Sequence, residues 1–189
     1  MGPMSQSGTL VICGDATHRG LVALAEKWLW KRCGVVFQER FRAVTPSGEQ
    51  PDAIGFRQGV SILIECKVSR NDFASDLRKP FRVKPETGLG DWRFYLCPTM
   101  LIAPEELPRG WGLLYANGNR VKAVCGIPGN TGWGVDRPFS GTKVEESYLL
   151  YSALRRMVIR GHFNSIYEPL YGCPAPGRIS GGDSNERKR

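Results

Sequence analysis

Apolar residues recur at Leu21, Ala25, Trp28 and Leu29 within THRGLVALAEKWLWKRC, from Thr17 to Cys33, a spacing that lays one stripe along a helix. Gly34 follows where helices commonly stop. The next run, VVFQERFRAV, alternates enough to predict a strand, and TPSGEQP then breaks the pattern with proline and glycine. DAIGF predicts a second strand, Arg57-Gln58-Gly59 a tight turn, and VSILIECKV a third strand.

Ser69 stands three residues before Asp72, the spacing of a capping box, and NDFASDLRK predicts a short helix that ends near Pro80. RVKPETGLGD reads as an exposed loop and WRFYLC as a strand. GWGLLYANGNRVKAVCGI predicts two strands joined at Asn117-Gly118, a strong hairpin signal. Pro128 to Gly141 is glycine-rich and irregular. Thr142 and Glu145 repeat the capping-box spacing before VEESYLLYSALRRMVIRG, where Leu150, Leu154 and Val158 keep a helical period up to Gly161. The pattern predicts an α/β fold, a mixed sheet with flanking helices, in a single domain over residues 1–171. Residues 172–189, rich in Gly, Pro, Ser and charge, predict a flexible basic tail.

The chain has 189 residues, 41% of them hydrophobic and 23% charged, which is the composition of a globular protein rather than a disordered one. No run approaches the roughly 20 apolar residues of a spanning helix, and the short LVIC run near the start lacks a basic region before it. The expectation is a cytoplasmic protein with no membrane partner. Twenty-six Lys and Arg against 18 Asp and Glu leave a net charge of +8, most of it outside the tail, which favours polyanionic partners. Six cysteines with no CxxC pair and only two histidines, His18 and His162, argue against a zinc finger or a disulfide scaffold.

Chemistry concentrates between Pro51 and Lys67. Side chains alternate along the third strand, so Ser61, Leu63, Glu65 and Lys67 share one face while Val60, Ile62, Ile64 and Cys66 share the other. Asp52, on the neighbouring strand, can reach the same point as Glu65. Two converging carboxylates repel unless a cation lies between them, and hard oxygen ligands suit Mg²⁺ or Mn²⁺. A lysine beside such an ion can orient an attacking water and steady the charge on a phosphate. That is the equipment of phosphodiester hydrolysis.

Pro51-Asp52, twelve intervening residues and Glu65-Cys66-Lys67 resemble the PD-(D/E)XK nuclease signature. The wider run GEQPDAIGFRQGVSILIECKVSRNDFASDLRKPFR, with Tyr95 to Pro98 and LPRGWGLLY, is similar to uncharacterised phage-type proteins and, more loosely, to bacterial proteins assigned as DNA-repair endonucleases. The resemblance spans roughly His18 to Tyr115 and implies a restriction-endonuclease-like core. It implies Asp52, Glu65 and the Cys66 carbonyl as metal ligands and Lys67 as the residue serving the water. An upstream glutamate often completes such sites; Glu39, at a strand end, is preferred here to Glu26 on the first helix. The downstream glutamine-containing helix motif of some related exonucleases is not visible, and no GxxxxGK[ST] loop is present, so any ATP-driven motor would be a partner protein.

Arg70, Arg78, Lys79 and Arg82 around the following helix are candidate phosphate contacts, with a solvated face carrying Asp72 and Asp76 as the alternative. His18, at a helix start, reads first as polar surface. Trp133, in a glycine-rich loop, is the tryptophan best placed to meet a base. The expected function is a Mg²⁺- or Mn²⁺-dependent deoxyribonuclease, a hydrolase acting on DNA or RNA. A homodimer, or a helicase, repair or phage-encoded protein, would be its protein partner. A non-catalytic DNA-binding or protein-interaction module on the same fold, acting in conflict between phage and host, is the rival. An enzyme of free nucleotides is a third reading, and a structural ion-pair network would use the same charged residues.

Overall fold

The computed structural model describes residues 17–129 and 132–168. Its centre is one six-stranded mixed sheet in the order β1-β2-β3-β4-β5-β6, formed by Val35–Gln38, Ala53–Arg57, Val60–Cys66, Trp92–Pro98, Gly112–Asn117 and Arg120–Cys125. The first three strands are antiparallel, β3, β4 and β5 run parallel, and β6 returns antiparallel. Helix α1, His18–Trp30, precedes the sheet; α2, Arg70–Asp76, and α3, Pro80–Val83, connect β3 to β4; α4, Lys143–Ile159, follows β6. This is the mixed α/β architecture with flanking helices that the hydrophobic pattern predicts.

Two compact units divide the chain, Met1–Leu150 and Tyr151–Arg189. The first contains the whole sheet. In the second, the described residues, 151–168, contain the remainder of α4 and a 3-10 turn, Phe163–Tyr167, whose two end rings meet edge to face at 6.4 Å. The predicted tail, residues 172–189, lies outside the described residues, as do Cys13 and Cys173. Cys33, Cys66, Cys97 and Cys125 are free thiols.

Alternation sorts β3 and β4 between two apolar layers. Val60, Ile62, Ile64 and Cys66, with Trp92, Phe94 and Leu96, face Leu21, Ala25, Trp28 and Leu29 of α1. Leu63, Tyr95 and Cys97 face Phe73 of α2 with Leu89, Trp111 and Leu149. Burial on both faces is what β3 needs as a nearly continuous apolar run with a parallel neighbour. Trp133 joins the first layer: its ring lies 5.2 Å from that of Trp92, and its carbonyl accepts the Trp92 indole N–H at 2.9 Å. It is a core residue, not a surface for bases.

The local signals act as expected at several ends. Thr17 caps α1 by accepting the Gly20 N–H, and Ser69 caps α2 by accepting that of Asp72. Gln58 and Gly59 both take positive φ, 31° and 78°, which turns β2 tightly into β3. Other expectations change. The strand expected over VVFQERFRAV ends at Gln38, because Phe41 N–H bonds back to the Gln38 carbonyl and its ring stacks on Phe37 at 4.4 Å. Pro80 does not merely stop a helix: α2 ends at Asp76 and Pro80 opens α3, where its missing N–H is harmless.

The segment read as an exposed loop also differs. Leu89 and Asp91 are fully buried, and Arg93 pins the segment by donating to the carbonyls of Pro85, Gly88 and Gly90. In α4 the buried residues are Glu145, Glu146 and Leu149, while Leu154 and Val158, which carry the helical period, are exposed. Glu145 accepts the backbone and hydroxyl of Ser47 instead of closing a capping box.

Candidate functional site

β2 and β3 bring the expected residues to one end of the sheet. Their ladder runs out with Ala53 opposite Ile64, which places Asp52 alongside Glu65. Asp52 Oδ2 accepts the Cys66 N–H at 2.7 Å, so one carboxylate oxygen is tied to the end of β3. Its other oxygen, Oδ1, faces His18 Nε2 at 3.3 Å, and His18 Nδ1 faces Glu39 Oε2 at 3.4 Å. The turn after β1 holds Glu39 there through its N–H, which donates to the Asp52 carbonyl at 2.8 Å.

His18, Glu39 and Asp52 therefore converge from three separate segments, each offering one ligand atom within 4.8 Å of the others. All three are partly exposed. Glu26, the alternative glutamate, instead accepts the Gln38 amide at 3.3 Å on the flank of α1. His18, which reads as polar surface in the sequence, is thus placed between the two carboxylates. Its one signal in the sequence was its position beside the Thr17 cap, at the first residue of α1. Position along the chain alone could not separate that from an ordinary helix start.

Glu65 and Lys67 lie deeper. Their side chains are each 3% exposed, and Lys67 Nζ donates to Glu65 Oε2 at 3.1 Å. Lys67 also faces Asp76 Oδ1 at 3.4 Å, and Arg82 completes the group: its Nη1 meets Glu49 at 2.5 Å, Nη2 meets Glu65 at 3.0 Å and Nε meets Asp76 at 3.0 Å. Tyr95 donates its hydroxyl to Asp76 Oδ2 at 2.8 Å, and the Leu89 N–H donates to Glu49 at 2.7 Å. Three carboxylates and two cations thus form a buried network at the end of β3. Its members come from the β1–β2 loop, β3, α2 and α3.

Burial sets the charge states. It pushes the Glu65 carboxyl up to about 7, against the pull of Lys67 and with help from the negative charge of Asp52. For Lys67 burial opposes the charge, but Glu65 and Asp76 outweigh it and hold the amine above the ordinary lysine range. Asp76 is also opposed by burial, yet Arg82 and Lys67 keep it well below the usual carboxylate range. Lys67 is accordingly held as a cation between Glu65 and Asp76. The Cys66 side chain is buried in the core, which leaves only its backbone to serve the site.

The expected phosphate contacts separate. Arg82 is turned inward, 2% exposed, because three carboxylates surround its guanidinium. Lys79 pairs with Asp76 at 2.7 Å, and Arg70 pairs with Glu106 while donating to the Leu101 carbonyl. Arg78 remains exposed on the surface. Two residues of the network carry no motif. Glu49 sits in a Gly/Pro stretch that reads as solvated loop, and no period could locate it. Asp76 had a usable signal: it follows Phe73 by three residues, so it shares the buried face of α2.

No family model matches the chain, and no curated protein matches it. A solved structure of a protein of unknown function from Silicibacter pomeroyi is similar, with 24% identity and a TM-score of 0.52, covering 82% of this chain and 96% of that one. That likeness is one of fold.

Proposed function

We propose that this chain is a metal-dependent nuclease that hydrolyses DNA phosphodiester bonds, built on the restriction-endonuclease-like core that its PD-(D/E)XK resemblance implies. The observation that carries the proposal is the convergence of His18, Glu39 and Asp52 at the end of the β2–β3 ladder, where Asp52 follows the register opposite the buried Glu65 of the Glu65–Lys67 pair. An imidazole nitrogen and two carboxylate oxygens, partly exposed, are a donor set that fits a divalent cation and leaves room for water. A nitrogen in the set favours Mn²⁺ over Mg²⁺, whose preferred ligands are all oxygen. When bound, the ion would lower the pKa of its water and neutralise phosphate charge.

The protein's own residues have separate tasks in this reading. Asp52 is oriented by the Cys66 N–H, which fixes which oxygen faces His18. Lys67, held as a cation by Glu65 and Asp76, supplies positive charge toward a phosphate rather than removing a proton. Arg82 and Asp76 keep Glu65 and Lys67 in place and are positioning residues.

The test incubates wild type, Asp52→Asn, His18→Ala and Lys67→Ala with linear, circular, single-stranded and branched DNA in Mn²⁺, Mg²⁺ or chelator. Cleavage strongest in Mn²⁺, absent with chelator and lowered at least about 100-fold by each substitution is expected. Intact substrates with folded wild type would sink the catalytic reading. The 3% exposure of Glu65 and Lys67 favours, as a second reading, a non-catalytic DNA-binding module in which the pair is structural. That module would bind DNA in every condition and cut none.

A further inference from the structure

The cations expected to hold phosphate around α2 are mostly neutralised by carboxylates, yet the chain carries a net charge of +8. At the other end of α1 the balance reverses. Lys27 and Lys31, four residues apart, and Arg120, which opens β6, are all exposed and line a groove of about 530 Å³ together with Arg32. Arg32 is fixed there: it donates to the Trp28 carbonyl at 3.0 Å, and its guanidinium lies 3.7 Å from the Trp28 ring centre. The same Arg32 lines a second depression of about 770 Å³ that contains Arg57. The acid of that depression, Glu146, is already paired with Lys143 at 2.8 Å.

Among the described residues, no carboxylate forms an ion pair with Lys27, Lys31, Arg32, Arg57 or Arg120. One small anion would need one or two of these cations. Five of them, spread over two depressions joined at Arg32, match a ligand whose negative charge repeats along its length. A concave path suits a phosphate backbone better than the flat surface of a membrane.

We infer that this groove is a track for a nucleic-acid phosphate backbone, separate from the candidate metal centre; the class of partner rests on the nuclease reading. At 1.5 Å per residue along α1, Lys31 stands about 20 Å from His18, the axial length of about six base pairs. Contacts of this kind position a duplex without reading its sequence. The track would hold nucleic acid on one side of the point of attack.

The experiment measures binding of fluorescein-labelled duplex DNA, in chelator and across a salt series, by wild type, Lys27→Glu/Lys31→Glu and the charge-matched control Lys84→Glu/Arg109→Glu. Circular dichroism confirms folding of each, and cleavage in Mn²⁺ is followed in parallel. The groove variant is expected to bind at least tenfold more weakly, with the salt slope shallower by about 2, and the control to change less than twofold. Equal losses in both variants, no loss in the groove variant, or wild type that binds anionic vesicles but not DNA would overturn the inference. Groove-dependent binding without cleavage would retain the track and remove the nuclease; cleavage with unaltered binding by the groove variant would do the reverse.

Discussion

Asp76 receives Tyr95 and Arg82 on one oxygen and faces Lys67 and Lys79 with the other, so a single buried carboxylate balances three cations. Because its folded pKa lies below the ordinary value near 3.8, the native state binds fewer protons than the unfolded chain below that value. The stabilisation is complete above about pH 4 and is lost as pH falls further. Asp76→Asn is expected to cost about 3 kcal/mol at neutral pH and to flatten the acid limb of stability, as read by urea unfolding over a pH series. An unchanged acid limb would show that Asp76 does not carry this linkage. Glu65, pushed up to about 7, works in the opposite sense: its contribution declines as pH rises from the ordinary glutamate value through 7. The sequence marks Glu65 and Lys67 by strand alternation. It hides Glu49, because an acidic residue in a loop looks solvated until a buried arginine is found beside it, whereas Asp76 is marked only by its three-residue spacing from Phe73.

At the scale of elements, the parallel register of β4 and β5 depends on a missing side chain. Gly112 pairs with Phe94, and a Cβ there would press into the Phe94 ring and come within 2.9 Å of the Cys125 carbonyl. Neither neighbour has room: Phe94 is fully buried between α1 and the sheet. Gly112→Ala is expected to destabilise by about 1–3 kcal/mol, seen as a lower midpoint in urea at constant slope. A midpoint equal to wild type would mean that β5 shifts without cost. Hydrophobic period made α1 and β2 to β5 legible, and the Asn-Gly turn made the β5–β6 hairpin legible. It failed for β1, where a turn and an aromatic stack cut the strand short, and for the segment before β4, where three carbonyls bound to Arg93 replace a regular ladder.

The candidate centre is a property of the whole first unit, because His18, Glu39 and Asp52 come from a helix start, a turn and a strand entrance. An ion bound by all three would link those segments and stabilise the native state in proportion to the logarithm of its concentration. At 100 times the dissociation constant, Mn²⁺ is expected to add about 2.7 kcal/mol and raise the melting midpoint by about 5–10 °C in wild type. Asp52→Asn and His18→Ala should lose most of that shift; equal shifts in all three proteins would place the ion elsewhere. No helix among the described residues is long and apolar enough to cross a membrane. The sequence by itself determined the elements that a two-residue or 3.6-residue period can encode, the shared face of Glu65 and Lys67, and the excess of positive charge. Only the tertiary structure decided that His18 meets Glu39 and Asp52, that Arg82 points inward, and that Lys27, Lys31, Arg32, Arg57 and Arg120 line two depressions that share Arg32. Local periodicity specifies which way a side chain faces, whereas which charges meet depends on chain segments that lie far apart in sequence and come together only when the sheet closes over its two apolar layers.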